Sequence, residues 1–593
     1  MPQKILAGRA DDPLLKADLV LTKVDQVILA KEPNRTLAEA IGLGLKKSAI
    51  EIAIAYDTRC LTTGEPDELV MNAPEQVSRE ALEHGILIGR PGIGFPSAVH
   101  LERFAAPARL ALTDDPRMAS VGGAGMLTMV ASPSQLAEAL IRGSVMVRPP
   151  RSVQILLSGK IRPFVCVRDV ALELIRRGLG DVTRAIDTEH SAPVVIEFAG
   201  PSARLLSVPE RALLCSLAPQ LGAAGAVFVS DDKTEVYLRD QRRSKAHRAL
   251  VPDPGAPCDE VVTIDLAAVD PLLMDVDGSV RPVRELEGGR VGQVILGGDS
   301  GASLRDMLAA AALLKSKRVP AGLDLLIAAP SRQVLEVLAQ SGALVDLIAA
   351  GARLIEPDHR ITAGDLYPPP ADGASIRTFD PNPGLAKEKR HIVASAETLA
   401  YAVANGQIGD PRSFKRPVRV TIPRTLPTDD VLVIRKSKAK GKGDAAPPEP
   451  TPMPKPPAPQ PWDSELSLEV ISERNSAEEP SALVLENLDD VRWAARAATA
   501  MSPHLRAVIA PHIPTSMVPL FSGLGVVVLI GDADTVQTLR KQKCLTVASP
   551  KSPTGPTLAV SAGSVKYELN WLALGAERDW TVAGTTITKA TEG

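Results

Sequence analysis

The segment QVILGGDSGASLRDM, residues 293–307, places an aspartate and a serine in a glycine-rich turn between an apolar run and a helix-like sequence. Glycine-rich turns at the start of a helix often bind phosphate. This one has neither the Gly-Lys-Ser/Thr ending nor the G-x-G-x-x-G spacing of nucleotide-binding loops. The pattern by itself therefore predicts a strand-to-helix turn, with Asp299 or Ser300 as the helix N-cap.

A second group of candidate ligands lies in GARLIEPDHR, residues 351–360. Its Glu356, Asp358 and His359 offer oxygen and nitrogen ligands for one divalent metal ion, and Asp299 would complete the set. The alternative is that Asp299 caps a helix and that EPDH is a polar surface turn. We expect no metal here and keep the metal site as the alternative.

Charged side chains near the ends of β-like runs supply further candidates. Asp57 and Asp115 follow such runs, and the carboxyl ends of parallel strands form the functional edge of open α/β sheets. Arg117 and Arg377 could clamp a small carboxylate bidentately, or both could belong to structural ion pairs. No G-x-S-x-G sequence is present to expose a nucleophilic serine.

The five cysteines are far apart and never form C-x-x-C. This spacing argues against a disulfide framework and against a local zinc or iron–sulfur ligand pair. The basic run QRRSKAHRAL, residues 241–250, could contact RNA, but it has no interleaved aromatics and the net charge of the chain is −3. We therefore interpret this run as a solvated helix face and expect no nucleic-acid partner.

The elements that must position these residues alternate between two patterns before residue 436. Apolar β-like runs lie at 48–57, 108–115, 192–200, 225–232, 291–298 and 322–330. Helical periodicity occurs at 134–143, 167–178, 208–222 and 303–316. Strand–helix alternation predicts layered α/β domains with parallel sheets.

A Lys-rich and then Pro-rich tract divides the 593 residues of the chain. Residues 436–462 cannot build a core and are predicted to form a flexible linker. The linker separates a large domain at 1–435 from a smaller α/β domain at 463–593. The amino-terminal sequence has no continuous apolar signal region, and no apolar stretch of about 18 residues occurs. We therefore expect a cytoplasmic protein without a membrane span.

Several segments resemble the aconitase and isopropylmalate-dehydratase superfamily. Residues 91–117, PGIGFPSAVHLERFAAPARLALTDDPR, align without gaps with its pattern PGSGIIHQ…LE…P…TDSH, and GGAGML follows at 122–127. The stretches 193–238, 391–412 and 507–529 extend the likeness over nearly the whole chain except the linker and tails. The resemblance implies an α/β fold with three α/β/α subdomains, followed after the Pro-rich linker by a smaller swivelling domain.

The resemblance also implies a chemistry. In this superfamily a [4Fe–4S] cluster lies among the three subdomains, and the swivelling domain closes over it. Water is removed from and returned to a hydroxy-carboxylate: iron acts as a Lewis acid on the hydroxyl, and a serine takes the carbon-bound proton. Thiolates hold the cluster, arginines clamp the carboxylates, and histidine–carboxylate pairs move protons.

The residues that should hold the cluster differ here. The position of the first ligand cysteine is Asp299, and residues 351–360, where the C-x-x-C pair is expected, contain no cysteine. The histidine of the G-I-I-H run is replaced by Ser97. The early Asp-His pair becomes Asp57-Thr58.

The substrate-binding motifs are only partly kept. Asp115 remains from the D-S-H triplet, whereas Arg117 stands in place of its histidine. The S-x-R-x-F run survives as Ser375, Arg377 and Phe379, which predicts substrate binding by Ser375 and Arg377. In the swivelling domain, residues 488–492 replace G-x-S-S-R-E, so the catalytic serine and the substrate-binding arginine of the motif are absent.

These losses predict a non-catalytic superfamily member without an iron–sulfur cluster or other cofactor, acting as a scaffold, regulator or carboxylate sensor. A small carboxylate or a protein is the expected partner. Two alternatives stay open: a hydro-lyase with a changed active site, with or without metal, and an RNA-binding relative. The predicted vestigial cleft positions are Asp57, Ser97, Asp115 and Arg117.

Overall fold

The fold contains three mainly parallel β-sheets, each covered by helices, and a closed barrel near the carboxyl terminus. The computed structural model describes residues 1–57, 76–358, 361, 366–378, 391–423, 425–429, 431–436, 460–472, 478–551 and 555–586. The predicted ligand His359 and residues 437–459 of the predicted linker lie outside these described residues.

The first sheet has six strands and carries the early predicted site residues. Its order is Val433–Ile434, Leu87–Gly89, Ile52–Tyr56, Gln26–Leu29, Leu110–Thr113 and Leu127–Val130. All neighbours are parallel except the first pair. A short antiparallel pair, Val20–Lys23 with Ser144–Val147, lies beside it as a separate two-stranded sheet.

The second and third sheets follow in the chain. The second, with four parallel strands, has the order Gly225–Phe228, Val194–Ala199, Arg151–Ser158 and Glu260–Asp265. The third has seven, in the order Val280–Pro282, Leu272–Met274, His391–Ala394, Ala374–Arg377, Val291–Gly297, Asp324–Ala328 and Arg353–Leu354. In the central strands nearly every residue is buried. This explains why their sequences are continuous apolar runs and do not alternate between apolar and polar residues.

Helices cover these sheets and often begin with a side-chain cap. Ser132, Ser207 and Ser303 each start a helix through a capping box with a Gln, Glu or Asp three residues later. The described α-helices before the barrel are Pro2–Ala7, Pro33–Gly42, Glu80–Glu83, Pro96–Arg103, Pro133–Arg142, Val167–Arg176, Leu179–His190, Val208–Cys215, Asp232–Asp240, Leu304–Leu314, Arg332–Gln340, Ala343–Ala350 and Ala396–Asn405.

The carboxyl-terminal domain is a seven-stranded barrel with helices. The strands, in barrel order, are Leu466–Ile471, Ser481–Val484, Leu505–Ala510, Val527–Ile530, Val565–Trp571, Thr557–Ala562 and Cys544–Val547. Its helices are Leu488–Met501, Val518–Ser522, Ala533–Arg540 and Ala576–Ala583. The predicted fold class, three α/β units followed by a smaller domain, is confirmed.

Two local predictions were wrong. The predicted helix at 208–222 ends at Cys215, and the following residues form a separate 3₁₀ turn, Ala218–Leu221. The basic run 241–250 is not a helix face, because the preceding helix ends at Asp240 and Arg242 has a φ of 56°.

Trp462 is the last residue of the predicted linker, yet it belongs to the core of the carboxyl-terminal domain. Its side chain is fully buried, and its indole Nε1 donates a hydrogen bond to the carbonyl of Gly525 at 2.7 Å. The guanidinium of Arg506 lies over its ring, 4.8 Å from the centroid. The linker therefore ends before Trp462; the other domain boundaries stay a prediction.

In the described part of the chain, no single helix is both long and apolar enough to span a membrane. Only Arg332–Gln340 and Ala343–Ala350 taken together reach that length and composition, and they are bent by 87°.

We expect Trp462→Ala to lower the free energy of unfolding of the carboxyl-terminal domain by about 3–5 kcal/mol, because it removes a large buried side chain. The four tryptophans of the chain are Trp462, Trp493, Trp571 and Trp580. All four lie in this domain, so tryptophan fluorescence during urea unfolding reports on it selectively. The control is Ser464→Ala, at an exposed position. Equal urea midpoints for the two variants would contradict the assignment of Trp462 to the core of the carboxyl-terminal domain.

Candidate functional site

The turn that carries Asp299 follows strand Val291–Gly297 at the carboxyl end of the third sheet. Gly297 and Gly298 have φ values of 106° and 86°, in the region that favours glycine. A Cβ on Gly297 would lie 1.9 Å from the carbonyl oxygen of Ala328 on the neighbouring strand. The glycine-rich sequence is thus required by close backbone packing in the sheet.

The N-cap of the following helix is Ser303, so the prediction of Asp299 or Ser300 was wrong. Ser303 Oγ accepts a hydrogen bond from the backbone N–H of Asp306 at 3.3 Å, and the Asp306 carboxylate accepts one from the N–H of Ser303 at 2.9 Å. Ser300 has a φ of 55°, which keeps the helix from starting earlier.

Four predicted site residues meet in one buried cluster, here called the Arg117 cluster: Ser97, Asp115, Arg117 and Asp299. Arg117 Nε donates to the two carboxylate oxygens of Asp115 at 2.9 and 2.8 Å. The same Nε lies 3.6 Å from Asp299 Oδ2, and the hydroxyl of Ser97 donates to Asp299 Oδ1. The cluster therefore joins the ends of strands in the first and third sheets.

Burial and charge act in opposite directions in the Arg117 cluster. None of its four side chains is more than 3% exposed. Burial raises the pKa of Asp299, although the Arg117 charge and the Ser97 hydrogen bond oppose this. Burial alone would lower the pKa of Arg117, but Asp115 and Asp299 outweigh it and raise that pKa. Arg117 is thus held as a cation by two acidic side chains of the protein.

The carboxyl-terminal domain adds two arginines to this region. Arg492 and Arg496 lie one turn apart on helix Leu488–Met501 and are 4% and 6% exposed. Burial and the nearby charge of Arg117 lower the pKa of Arg496 to about 9. This helix therefore presents a buried cation to the Arg117 cluster.

Contacts from the first sheet's unit hold that helix in place. Lys31 Nζ donates to the carbonyl oxygen of Arg496, and Arg35 Nη1 donates to that of Thr499 at 3.0 Å. A cavity of about 60 Å³ remains between the two domains, lined by Lys31, Asp114 and Arg496 among others. Ligand pockets usually measure about 300–1,000 Å³, so a hydroxy-carboxylate would need the domains to separate.

A larger cavity of about 380 Å³ adjoins the cluster at Ser97. Ser97 and Ser300 line it together with apolar side chains such as Leu101 and Val208. Its volume suits a small ligand with an apolar group.

Arg377 and Ser375, the predicted substrate-binding pair, are both fully buried and bonded within the third sheet's unit. Arg377 donates to the carbonyls of Ile361 and Tyr367 at 2.8 and 2.9 Å, and its Nε donates to Ser375 Oγ at 3.2 Å. Ser375 donates in turn to Gln293 Oε1 at 2.6 Å. These hydrogen bonds favour a structural role for Arg377; the ion pair and the substrate-binding role both stay predictions.

The remaining predicted positions are not part of the Arg117 cluster as the structure describes it. Asp57 is buried at the end of strand Ile52–Tyr56, where its N–H donates to the carbonyl of Gly89 at 2.8 Å. Glu356 is exposed and Asp358 is buried. Among the described residues, Asp299, Glu356 and Asp358 do not converge as a ligand set, so the metal hypothesis at these residues gains no support.

The fold and the Arg117 cluster define an α/β protein with three separate sheets covered by helices, whose candidate site is covered by a barrel domain. Residues 67–282 match the family model described as Aconitase family (aconitate hydratase). A 3-isopropylmalate dehydratase large subunit of Sulfurisphaera tokodaii is 30% identical over 335 residues, which are 54% of this chain and 76% of that protein.

Longer alignments are found with other relatives. A 3-isopropylmalate dehydratase large subunit 2 of Archaeoglobus fulgidus is 26% identical over 70% of this chain and 98% of its own length. The homoaconitase large subunit of Thermus thermophilus is 27% identical over 60% and 83%. The chain belongs to the aconitase family.

The donors around Asp299 do not fit the [4Fe–4S] cluster that the family resemblance implies. Thiolates hold such clusters, whereas the described neighbours of Asp299 include the Ser97 and Ser300 hydroxyls and the Arg117 guanidinium. Among the described cysteines, Cys166 and Cys215 are buried, Cys258 is half-buried and Cys544 is exposed in the barrel. Cys60 lies outside the described residues.

Sequence reasoning missed the contribution of Arg496. Residues 488–492 do not match the family motif, so the sequence predicts that the swivelling-domain arginine is absent. The spacing of Arg492 and Arg496 puts both on one face of a helix, and this signal is readable in the sequence. Only the packing of that helix against the large domain brings the face to Arg117.

We expect Arg117→Met to lower the free energy of unfolding at pH 8 by about 3–5 kcal/mol, because it leaves Asp115 and Asp299 buried without their cation. The loss should shrink as pH falls, because protonation neutralises Asp299, whose pKa is already raised by burial and rises further without Arg117. Calorimetry or circular dichroism between pH 5 and pH 8 measures both effects.

The matched control is Arg109→Met. The Arg109 side chain is 39% exposed and donates to Asp25 at 2.8 Å, so its loss should cost about 1 kcal/mol or less. Equal losses for the two variants, or a loss at Arg117 that does not change with pH, would contradict the charge assignment.

Proposed function

We propose that this chain is a non-catalytic, cluster-free member of the aconitase family that acts as a carboxylate-responsive regulator or scaffold. The observation that supports this best is that the Arg117 guanidinium is already paired with the carboxylates of Asp115 and Asp299. A guanidinium is the natural clamp for a ligand carboxylate, and here the protein's own carboxylates fill that position.

The loss of catalysis is supported by the types of side chain at the site. The proposed cluster-free state rests on oxygen and nitrogen donors where the family chemistry requires thiolates. The only described hydroxyl that contacts Asp299 from another element, that of Ser97, donates to its carboxylate. No described pair of a histidine and an acid lies in the Arg117 cluster to relay protons.

A carboxylate response is supported by the position of Arg496. Burial and the charge of Arg117 lower the pKa of this buried arginine to about 9, while the charges of Asp115 and Asp299 oppose that shift. A ligand carboxylate entering between the domains would add an anion to a site where the charges of two buried arginines act on each other. Because the site has contributions from both domains, binding would change their closure.

The proposed ligand is a hydroxy-carboxylate with an apolar branch. Arg496 on the barrel domain supplies a buried cation for the carboxylate, and the cavity of about 380 Å³ beside Ser97 supplies apolar space. The two isopropylmalate relatives cited above are named as enzymes that act on a molecule of this class. They are also named large subunits, whereas this chain carries its own barrel domain, so we propose that a protein partner is not needed to cover the site.

We expect 3-isopropylmalate to raise the melting temperature of the purified full chain, without added metal and more strongly than citrate. At a hundred times Kd, binding only to the native state contributes about 2.7 kcal/mol. Thermal scans with 3-isopropylmalate, citrate and isocitrate, each with and without Fe²⁺, Mn²⁺ and Mg²⁺, measure the shift. Arg496→Gln should abolish it.

The control variant is Lys566→Gln, which removes a cation that is 64% exposed on the same barrel and should leave the shift unchanged. A shift that needs metal, or turnover of any of these acids, would replace this proposal by the hydro-lyase with a changed site. The absence of a shift with all three acids would contradict the carboxylate response.

A further inference from the structure

A second group of chemically active side chains lies where three helices begin. Cys166 is the N-cap of helix Val167–Arg176, Asp306 lies in the first turn of Leu304–Leu314, and Glu397 lies in the first turn of Ala396–Asn405. One thiol sulfur and two carboxylate oxygens of these residues all lie within 4.8 Å of one another. Their exposed fractions are 3%, 2% and 5%.

Two carboxylate oxygens in this group lack hydrogen-bond partners. Asp306 Oδ1 and Glu397 Oε2 are buried and accept no hydrogen bond from any described residue. Arg305 is the adjacent cation, but its Nη1 is 3.6 Å from Asp306 Oδ1 and 3.9 Å from Glu397 Oε1, too far for hydrogen bonds. Buried polar atoms are normally satisfied, so these orphaned oxygens point to a missing ligand.

The other contacts of these residues leave the same atoms available. Asp306 uses Oδ2 for the capping box with Ser303. The Cys166 sulfur accepts a hydrogen bond from the N–H of Arg168 at 3.3 Å and, in the capping box of its helix, one from the N–H of Asp169. The two orphaned carboxylate oxygens thus make no other hydrogen bond, and the Cys166 sulfur lies close enough to join them as a ligand.

We propose that Cys166, Asp306 and Glu397 bind one divalent transition-metal ion, with Zn²⁺ preferred and a water molecule as fourth ligand. A thiolate with two carboxylates suits Zn²⁺ and Co²⁺ better than Mg²⁺ or Ca²⁺, which take oxygen ligands. With Zn–S near 2.3 Å and Zn–O near 2.1 Å, tetrahedral ligands lie about 3.6 Å apart. Atoms that lie within 4.8 Å of one another reach this spacing by moving inward by less than about 1 Å.

The charge balance also favours a cation. Three anionic ligands around a divalent ion leave one negative charge, which Arg305 offsets. The positive ends of three helix dipoles stabilise anions at this position too, but they supply no hydrogen bond to the two orphaned oxygens. A metal ion satisfies both the charge and the missing contacts.

The proposed metal joins the second and third sheets' units behind the candidate site. Arg168, two residues after Cys166, donates through Nη2 to the carbonyls of Ser300 and Gly301 at 2.7 and 3.3 Å. Those carbonyls belong to the turn that carries Asp299. The metal would therefore stabilise the position of that turn. This inference does not depend on the proposed carboxylate response, because none of its ligands contacts the Arg117 cluster among the contacts described.

The test uses Co²⁺ and Zn²⁺ on the full chain after removal of metal with a chelator. We expect one equivalent of Co²⁺ to give thiolate-to-cobalt charge-transfer absorption, and Zn²⁺ to displace it. Cys166→Ser should abolish the absorption, and Glu397→Gln should weaken the affinity for Zn²⁺ at least tenfold, measured by competition with a chromogenic chelator. Thermal scans at one Zn²⁺ concentration should show a larger stabilisation of the wild-type chain than of Glu397→Gln.

The matched control is Cys215→Ser, which alters another buried cysteine and should keep the full absorption. Circular dichroism identifies any variant that fails to fold. If Cys166→Ser fails to fold, the Zn²⁺ affinity of Glu397→Gln tests the proposal instead. Charge-transfer absorption that survives in Cys166→Ser, or equal affinities of wild type and Glu397→Gln, would overturn the proposal. No cobalt absorption in the wild-type chain would overturn it as well.

Discussion

The structure around the candidate site depends on one buried ion pair network, in which Arg117 is held between Asp115 and Asp299. Transferring three charges out of water is costly unless each finds its partners in good geometry. This requirement constrains the glycine turn before Asp299, the start of the 3₁₀ helix Pro116–Ala124 and the helix that carries Ser97. It couples the first sheet to the third at their strand ends.

Several polar contacts help to fix the carboxyl-terminal domain over this network. Lys31 and Arg35 donate to carbonyls in the second half of helix Leu488–Met501, where a cation also complements the helix dipole. Elsewhere, Arg148 pairs with Glu577, and Thr515 donates to the carboxylate of Asp187. Opening the domain would replace such contacts by contacts with water. A ligand that binds the open and closed arrangements with different affinity would therefore shift the equilibrium between them.

Local patterns in the sequence predicted the elements well and their ends less well. The runs at 192–200 and 291–298 became strands Val194–Ala199 and Val291–Gly297, because a strand buried on both faces requires a continuous apolar sequence. The N-cap was misassigned because Asp299 also suits a cap, and only the positive φ of Ser300 moves the helix start to Ser303. Trp462 was assigned to the linker by composition, although a tryptophan among prolines can be an anchor of the next domain.

The sequence by itself determined the fold class, the family resemblance and the absence of cysteines at the expected cluster positions, since these depend on residue types and short-range spacing. Only the tertiary structure decided that Ser97, Asp115, Arg117 and Asp299 meet, that Arg496 joins them, and that Arg377 is bonded to backbone carbonyls. It alone brought together Cys166, Asp306 and Glu397, which are far apart in the chain. The physical reason is that such contacts arise from the packing of separate sheets and helices, which no local spacing encodes.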